Sequence, residues 1–342
     1  MIKIEEEELR RIPLVLGEMG YRVIVPSKVG GITKLVRASP ESTIDLDYVR
    51  VINSPRDFLL PDGEELYRYR SSATVTTNGL RVRFPSVEGP CPVTIDAEWS
   101  EPEGKFAFFA IHPCMANSIK YLDKVMLSDP PDPYYSKRRR GALIAVLECA
   151  EGDDKCFCVP AGSWKVPEEY CDISMRRVVG GYALRGLSKI GREILGKLDG
   201  SRCEYSSEPP RIRSCFSISA SESEIDSSSN QDLEMCTLCA SCTVTCPTCY
   251  CSDIEDRFSL VDPSDVARVR KRMSCQRRCY GMIAGGNIFL RTKEERYRWR
   301  IKHKFPYSER VFGIHGCVGC GNCIAFCPSG IDIRKTISRV PA

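Results

Sequence analysis

The sequence predicts an α+β protein in two parts, an N-terminal α/β domain and a C-terminal domain that is largely helical and rich in cysteine. Three observations carry this. Two continuous apolar runs, Lys105–Ile111 and Gly141–Leu147, flank a stretch with helical spacing. Eight cysteines fall in residues 1–231 and twelve in the shorter segment 232–342. A spaced cysteine pattern in the second part occurs twice.

The elements follow in order. Glu5–Met19 carries Leu9, Ile12, Leu16 and Met19 on one helical face, and Gly20 is a natural stop before the β-rich Tyr21–Val25. Asp45–Ser100 alternates in short stretches, such as Arg81-Val82-Arg83-Phe84, between Pro and Gly, and its topology is left open. Lys105–Ile111 reads as a buried strand, Ala116–Met126 as a helix with Ile119, Leu122, Val125 and Met126 together, and Gly141–Leu147 as a second buried strand after the polar Tyr134–Arg140 segment. Strand, helix and strand make a parallel βαβ unit, and ligands gather beyond the carboxyl ends of such strands. Cys114 and Cys149 each lie just past such an end. A further helix is expected around Ala183–Leu198, and Val266–Met273, opened by Pro263-Ser264-Asp265, reads as another. Thr292-x-x-Glu295 is a capping box that opens a helix over Lys293–Lys304.

Composition sets the class. With 342 residues, 42% hydrophobic and 27% charged, the chain has enough apolar residues for a core and is no disordered tail. It is too long for a small secreted disulfide scaffold. The start, Met1-Ile2-Lys3-Ile4 followed by Glu5–Glu8, lacks a secretory pattern, and the apolar runs fall far short of the roughly 18 residues a membrane span needs. The expectation is a soluble cytoplasmic protein, in which dense cysteine binds metal or does redox chemistry. The expected division is an α/β domain over 1–203, a polar linker or flexible edge over 204–231, and a cysteine-rich domain over 232–342.

The repeated motif carries the chemistry. Cys236-x2-Cys239-x2-Cys242-x3-Cys246-Pro247 recurs as Cys317-x2-Cys320-x2-Cys323-x3-Cys327-Pro328. This is the bacterial ferredoxin spacing for [4Fe–4S] clusters. Three thiolates two residues apart wrap one cubane, and the proline after the fourth redirects the chain. In two-motif proteins the fourth Cys serves the other cluster. Cluster one is therefore assigned to Cys236, Cys239, Cys242 and Cys327, and cluster two to Cys317, Cys320, Cys323 and Cys246. Structural zinc uses paired C-x2-C, not a third Cys at the same spacing with C-x3-C-P. The seventy residues between Cys246 and Cys317 exceed what a compact ferredoxin needs, which favours an α-helical, ferredoxin-like dicluster domain behind the α/β domain.

Cys114, Cys149, Cys156 and Cys158 form a candidate third site, and Cys249, Cys251, Cys275 and Cys279 a rival set. Cys91, Cys171, Cys203 and Cys215 are isolated and read as structural. Residues 232–342 hold 18 Lys+Arg against 11 Asp+Glu, mainly in the runs Arg268–Arg278 and Arg296–Lys304. These read first as solvated faces and compensation for cluster thiolates, and second as a docking surface for an acidic partner. No base-reading module accompanies them, so nucleic acid is a minor reading. There is no dinucleotide fingerprint, P-loop or nucleophile elbow, and the three His residues, His112, His303 and His315, are scattered.

These residues resemble a known family, the iron–sulfur beta subunit of cytosolic sulfhydrogenases (soluble nickel–iron hydrogenases), related to the corresponding iron–sulfur subunit of anaerobic sulfite reductase. The most specific stretches are Cys-Pro-Thr-Cys-Tyr-Cys at 246–251, Ser-Cys-Gln at 274–276, Ala-Gly-Gly at 284–286 and Cys-Val-Gly-Cys-Gly-Asn-Cys-Ile-Ala-Phe-Cys-Pro at 317–328. Upstream, His112-Pro-Cys114, Asp132-Pro-Tyr-Tyr-x-x-Arg138-Arg139 and Cys156-Phe-Cys158 belong to the same likeness. The resemblance implies a non-catalytic electron relay between a flavin/[2Fe–2S] subunit that handles NAD(P)H and a catalytic metallosubunit. It carries over the eight motif cysteines and includes counterparts of Cys114, Cys149, Cys156, Cys158, Cys249, Cys251 and Cys275. Met115 departs from the family's Asp, the Ser-rich 216–230 stretch is atypical, and Cys279 has no counterpart. The expected function is a subunit passing single electrons through two [4Fe–4S] clusters, with a third site open, in a hydrogenase complex. The alternatives are the equivalent subunit of a sulfite or sulfur reductase, an iron–sulfur enzyme with substrate at the N-terminal site, and an iron–sulfur nucleic-acid binder.

Overall fold

A computed structural model describes residues 1–71, 75–76, 81–82, 95–102, 104–214, 216–218, 221–227 and 231–339. Cys91, Cys215 and the alternating pair Arg83-Phe84 lie outside the described residues. The chain forms two compact units. One comprises 1–59, 104–249 and 274–342, the other 60–103 and 250–273.

The larger unit is built on an eight-stranded mixed sheet. Its order is Ser201–Arg202, Ile2–Ile4, Gly181–Gly186, Ile173–Val178, Leu143–Leu147, Phe106–Ile111, Arg22–Val29 and Ile32–Arg37. The four strands Arg22–Val29, Phe106–Ile111, Leu143–Leu147 and Ile173–Val178 run parallel, and antiparallel strands flank them. Every residue of Phe106–Ile111 and Leu143–Leu147 is buried, which is why these runs read as continuous rather than alternating. The helix Glu6–Glu18 buries Leu9, Ile12 and Leu16 in the core beneath them. The expected βαβ unit is present, its helix being Pro113–Met126, with Pro113 in the first turn.

The polar Tyr134–Arg140 segment is itself a helix, Pro133–Arg140, started by the Asp132 side chain accepting from the Tyr135 amide at 2.7 Å. Tyr135 donates to Asp123 at 2.7 Å, and Arg139 donates to the same carboxylate at 2.9 Å. The Asp-Pro-Tyr-Tyr-x-x-Arg-Arg stretch therefore buttresses the helix that carries Cys114. The helix expected around Ala183–Leu198 begins later. Gly181–Gly186 is a strand, and the helix runs Lys189–Leu195, capped by Ser188. Tyr182 and Leu184 go into the sheet core, where pairing on both sides outweighs helical spacing.

The smaller unit is a four-stranded antiparallel sheet ordered Ser252–Phe258, Asp265–Arg272, Glu64–Ser71 and Ile95–Trp99. The helix expected over Val266–Met273 is thus a strand. Val266 and Val269 are buried, and the strand is held between neighbours on both sides, one of them about two hundred residues earlier in the chain. Its basic residues are paired: Arg268 with Asp256 at 2.7 Å, Arg270 with Glu64, and Lys271 with Glu255 at 2.5 Å. No helix among the described residues is long and apolar enough to cross a membrane.

Candidate metal centres

The two motif copies fold alike. Leu238 and Gly319 occupy equivalent positions with φ of 55° and 59°, and Ala240 and Gly321 do so at 66° and 75°. A short helix follows each, Ser241–Val244 and Asn322–Ala325, with the third cysteine at its second residue. The first copy holds two non-glycine residues in left-handed backbone, which costs roughly 1–2 kcal/mol per residue. The second copy has glycine there for an added reason. A Cβ on Gly319 would lie 2.4 Å from the Phe157 carbonyl oxygen, and one on Gly321 2.4 Å from that of Lys155. The second loop lies directly on the Cys156–Cys158 loop, and the Phe157 amide donates to the Gly319 carbonyl at 2.9 Å.

A contrast follows. Gly319→Ala should lose about 3 kcal/mol, from the left-handed backbone and the clash together. Ala240→Gly should change stability by less than about 1 kcal/mol. Urea unfolding of the anaerobically purified chain measures both, and equal effects would contradict this reading of the two loops.

The copies are also cross-tied reciprocally. Ser241 donates to the carbonyl of Phe326 at 2.7 Å, and its counterpart Asn322 donates to that of Thr245 at 3.2 Å. Phe326 and Thr245 are the residues immediately before Cys327 and Cys246. Each loop therefore holds the approach to the other copy's fourth cysteine. Accordingly, Cys236, Cys239, Cys242 and Cys327 line one cavity, together with Tyr297, Arg300, Ile331 and Ile333, and Cys323 of the second triplet lines it too. Cys246 lies in electrostatic reach of Cys317, Cys320 and Cys323.

The N-terminal set converges as well. Cys114, in the first turn of its helix, lines one cavity with Cys149, Cys156 and Cys158, and Cys320 lines the same cavity. Arg50 stands at this junction. It donates to the Cys320 carbonyl at 3.0 Å, lies 3.7 Å from the Cys156 sulfur and pairs with Asp153. The sets form a row, because Cys320 of the second motif lines the N-terminal cavity and Cys323 of the second motif lines the cavity of the first.

The rival set is divided between the two units. Cys249 and Cys275 are buried within reach of Cys242, Cys279 is exposed, and Cys251 belongs to the smaller unit. Cys171 is buried, Cys203 half-buried.

The chemistry of the donors suits polynuclear clusters. All eighteen described cysteines are free thiols. Five thiols line each of two cavities, Cys320 among them in the N-terminal one and Cys323 in that of the first motif. Burial raises the Cys114, Cys149 and Cys320 thiols well above the ordinary range, and pushes Cys317 up to about 11. Such thiols ionise when iron supplies the opposing charge. Cys246 differs. Burial raises it, but Lys304 and Arg300 more than offset this and bring it to about 7.

Arg56 escaped the sequence reading, and so did the direction in which the basic run Arg296–Lys304 is turned. Arg56, 1% exposed, donates to the carbonyls of Thr243 at 3.0 Å, Val244 at 2.5 Å and Cys249 at 3.2 Å, fixing the chain around Cys246. Arg300 and Lys304 point inward from Lys293–Lys304, the helix whose capping box is present as expected. The available signal was their spacing with Arg296 at successive turns of one face.

Residues 235–331 match the 4Fe-4S dicluster domain family. The chain is 28% identical over 356 aligned positions to sulfhydrogenase 2 subunit beta of Pyrococcus furiosus, an alignment covering 99% of this chain and 98% of that protein. No solved structure matches significantly. With a dicluster domain at 235–331 and a likeness running from end to end, the resemblance read from the motifs stands: the chain is a homologue of the iron–sulfur beta subunit of sulfhydrogenases.

Proposed function

We propose that this chain is the electron relay of a cytoplasmic hydrogenase complex, carrying single electrons between a flavin/[2Fe–2S] subunit that handles NAD(P)H and a catalytic metallosubunit. Residues 232–249 and 274–342 provide the dicluster domain, in the same compact unit as the α/β sheet, while 250–273 belong to the smaller sheet. Cluster one is held by Cys236, Cys239, Cys242 and Cys327, and cluster two by Cys317, Cys320, Cys323 and Cys246. A third cluster is held by Cys114, Cys149, Cys156 and Cys158. The observation that carries the reading is the row of three cysteine sets: Cys320 of the second motif lines the N-terminal cavity, and Cys323 of the second motif lines the cavity of the first. A row of one-electron centres with no nucleotide-binding motif of its own passes electrons between other proteins' cofactors, and cluster environment sets the direction of fall.

The test is anaerobic purification of the native assembly, with iron and acid-labile sulfide measured on this chain. The expected result is about twelve of each per chain, four for each set, and a flavoprotein that co-purifies. About eight of each would remove the N-terminal cluster. Recovery of the chain alone, without a flavoprotein, would remove the relay.

A further inference from the structure

The helix Lys293–Lys304 turns charge toward the interior, where an amphipathic helix normally turns apolar residues. Arg296, Arg300 and Lys304 recur every four residues and are each 5% exposed. Arg296 is accounted for by the loop before the helix, donating to the carbonyls of Leu290 at 2.6 Å and Arg291 at 3.3 Å. The other two reach the cysteine sets. Arg300 lines the cavity of Cys236, Cys239, Cys242 and Cys327 and donates to the Cys242 carbonyl at 2.5 Å. Lys304 donates to the Thr248 carbonyl at 3.0 Å and to the Thr248 hydroxyl at 2.8 Å, and that hydroxyl lies 3.3 Å from the Cys246 sulfur.

A buried cation is costly unless negative charge faces it. The groups acting on Arg300 are the thiols of Cys242, Cys246, Cys275 and Cys323, drawn from both motif copies. Lys304 has Thr248, the face of the Tyr121 ring and the Cys246 thiol. Their counter-charge is therefore sulfur. In a low-dielectric interior a fixed positive charge favours whichever redox state is more negative, and the reduced cluster carries one more negative charge than the oxidised one.

We infer that Arg300 and Lys304 set the potentials of the two clusters, with Arg300 at the junction raising both and Lys304 raising only the cluster that Cys246 completes. The inference rests on the dicluster reading proposed above. Both residues are positioning residues: they act on the clusters through the ligands and their surroundings, and neither is a ligand. One helix thereby couples the centres. With Arg300 between them, reduction of either cluster uses part of the same positive charge, and the second electron enters against a weakened attraction.

The experiment is an EPR-monitored redox titration of the full-length chain, with iron and sulfide measured on every sample. In Arg300→Met both clusters should become harder to reduce, by at least tenfold in the reduced-to-oxidised ratio at a fixed potential, which is about 59 mV for a one-electron couple. Lys304→Met should move one cluster by a similar amount and leave the other in place. Arg300→Lys, which keeps the charge, should recover at least half the shift. A helix that merely needs these residues for packing would alter iron content or stability without this pattern. Fully loaded variants whose potentials stay within a twofold ratio of the parent overturn the inference. If Arg300→Met fails to load, Lys304→Met decides: a shift in one cluster supports it, and no shift or equal shifts overturn it. A parent chain holding fewer than about eight irons would instead overturn the dicluster reading, before any variant is made.

Discussion

Cys327→Ser should remove the cluster of the first motif, not that of its own. The reason lies in the reciprocal ties. Ser241 holds the Phe326 carbonyl and Asn322 holds the Thr245 carbonyl, so each fourth cysteine enters beside the other copy's triplet. Cys327 lines the cavity of Cys236, Cys239 and Cys242. Losing one of four thiolates leaves an iron corner open to solvent, and the expected loss is about four irons per chain under aerobic handling. Double variants identify which cluster went. Cys239→Ser with Cys327→Ser strikes one cluster twice and should lose about four irons, no more than either alone. Cys320→Ser with Cys327→Ser strikes two clusters and should lose about eight. Local pairing of each motif with its own fourth cysteine would reverse this pattern, so iron content with EPR spin counts decides between them.

Legibility in the sequence followed the range of the interactions. The buried strands Phe106–Ile111 and Leu143–Leu147 were readable because all of their side chains are apolar, and Lys293–Lys304 because its capping box is local. The strand Asp265–Arg272 was not. Pro263-Ser264-Asp265 looks like a helix start, while what makes the segment a strand is pairing with Arg68 and Tyr69 of a distant stretch. The motif spacing gave the two triplets and the proposed exchange of fourth ligands; the support for that exchange comes from Ser241 and Asn322, one hydroxyl and one amide that carry no motif signal. Gly319 and Gly321 were visible as glycines; their reason, the carbonyls of Phe157 and Lys155 against them, required the fold. The basic run Arg296–Lys304 read as solvated faces and as compensation for cluster thiolates; three of its members are buried, and Arg300 and Lys304 lie beside the cysteine sets. Net charge counts such residues without saying which way a helix is turned.

Cys158→Ser should sever the relay at one end while leaving its centre intact. Cys158 lines the N-terminal cavity with Cys114, Cys149 and Cys156, and it lies in the loop that the second motif packs against. The row of sets makes this site terminal: Cys320 of the second motif lines the N-terminal cavity, whereas Cys236, Cys239 and Cys242 of the first do not. Its loss should remove about four irons and leave about eight, because the ties between the two motifs run through Ser241 and Asn322 and do not involve Cys158. Chemical reduction of the remaining clusters with dithionite should proceed as in the parent. Electron transfer from NAD(P)H through the assembled complex should instead fall to the level of a complex lacking this chain, since the gap left between the outside cofactor and Cys320 has no centre in it. The pairing of these two readouts separates a broken path from a broken fold. Loss of all three clusters would mean that the N-terminal loop supports the second motif structurally, and undiminished transfer would place the N-terminal site off the path.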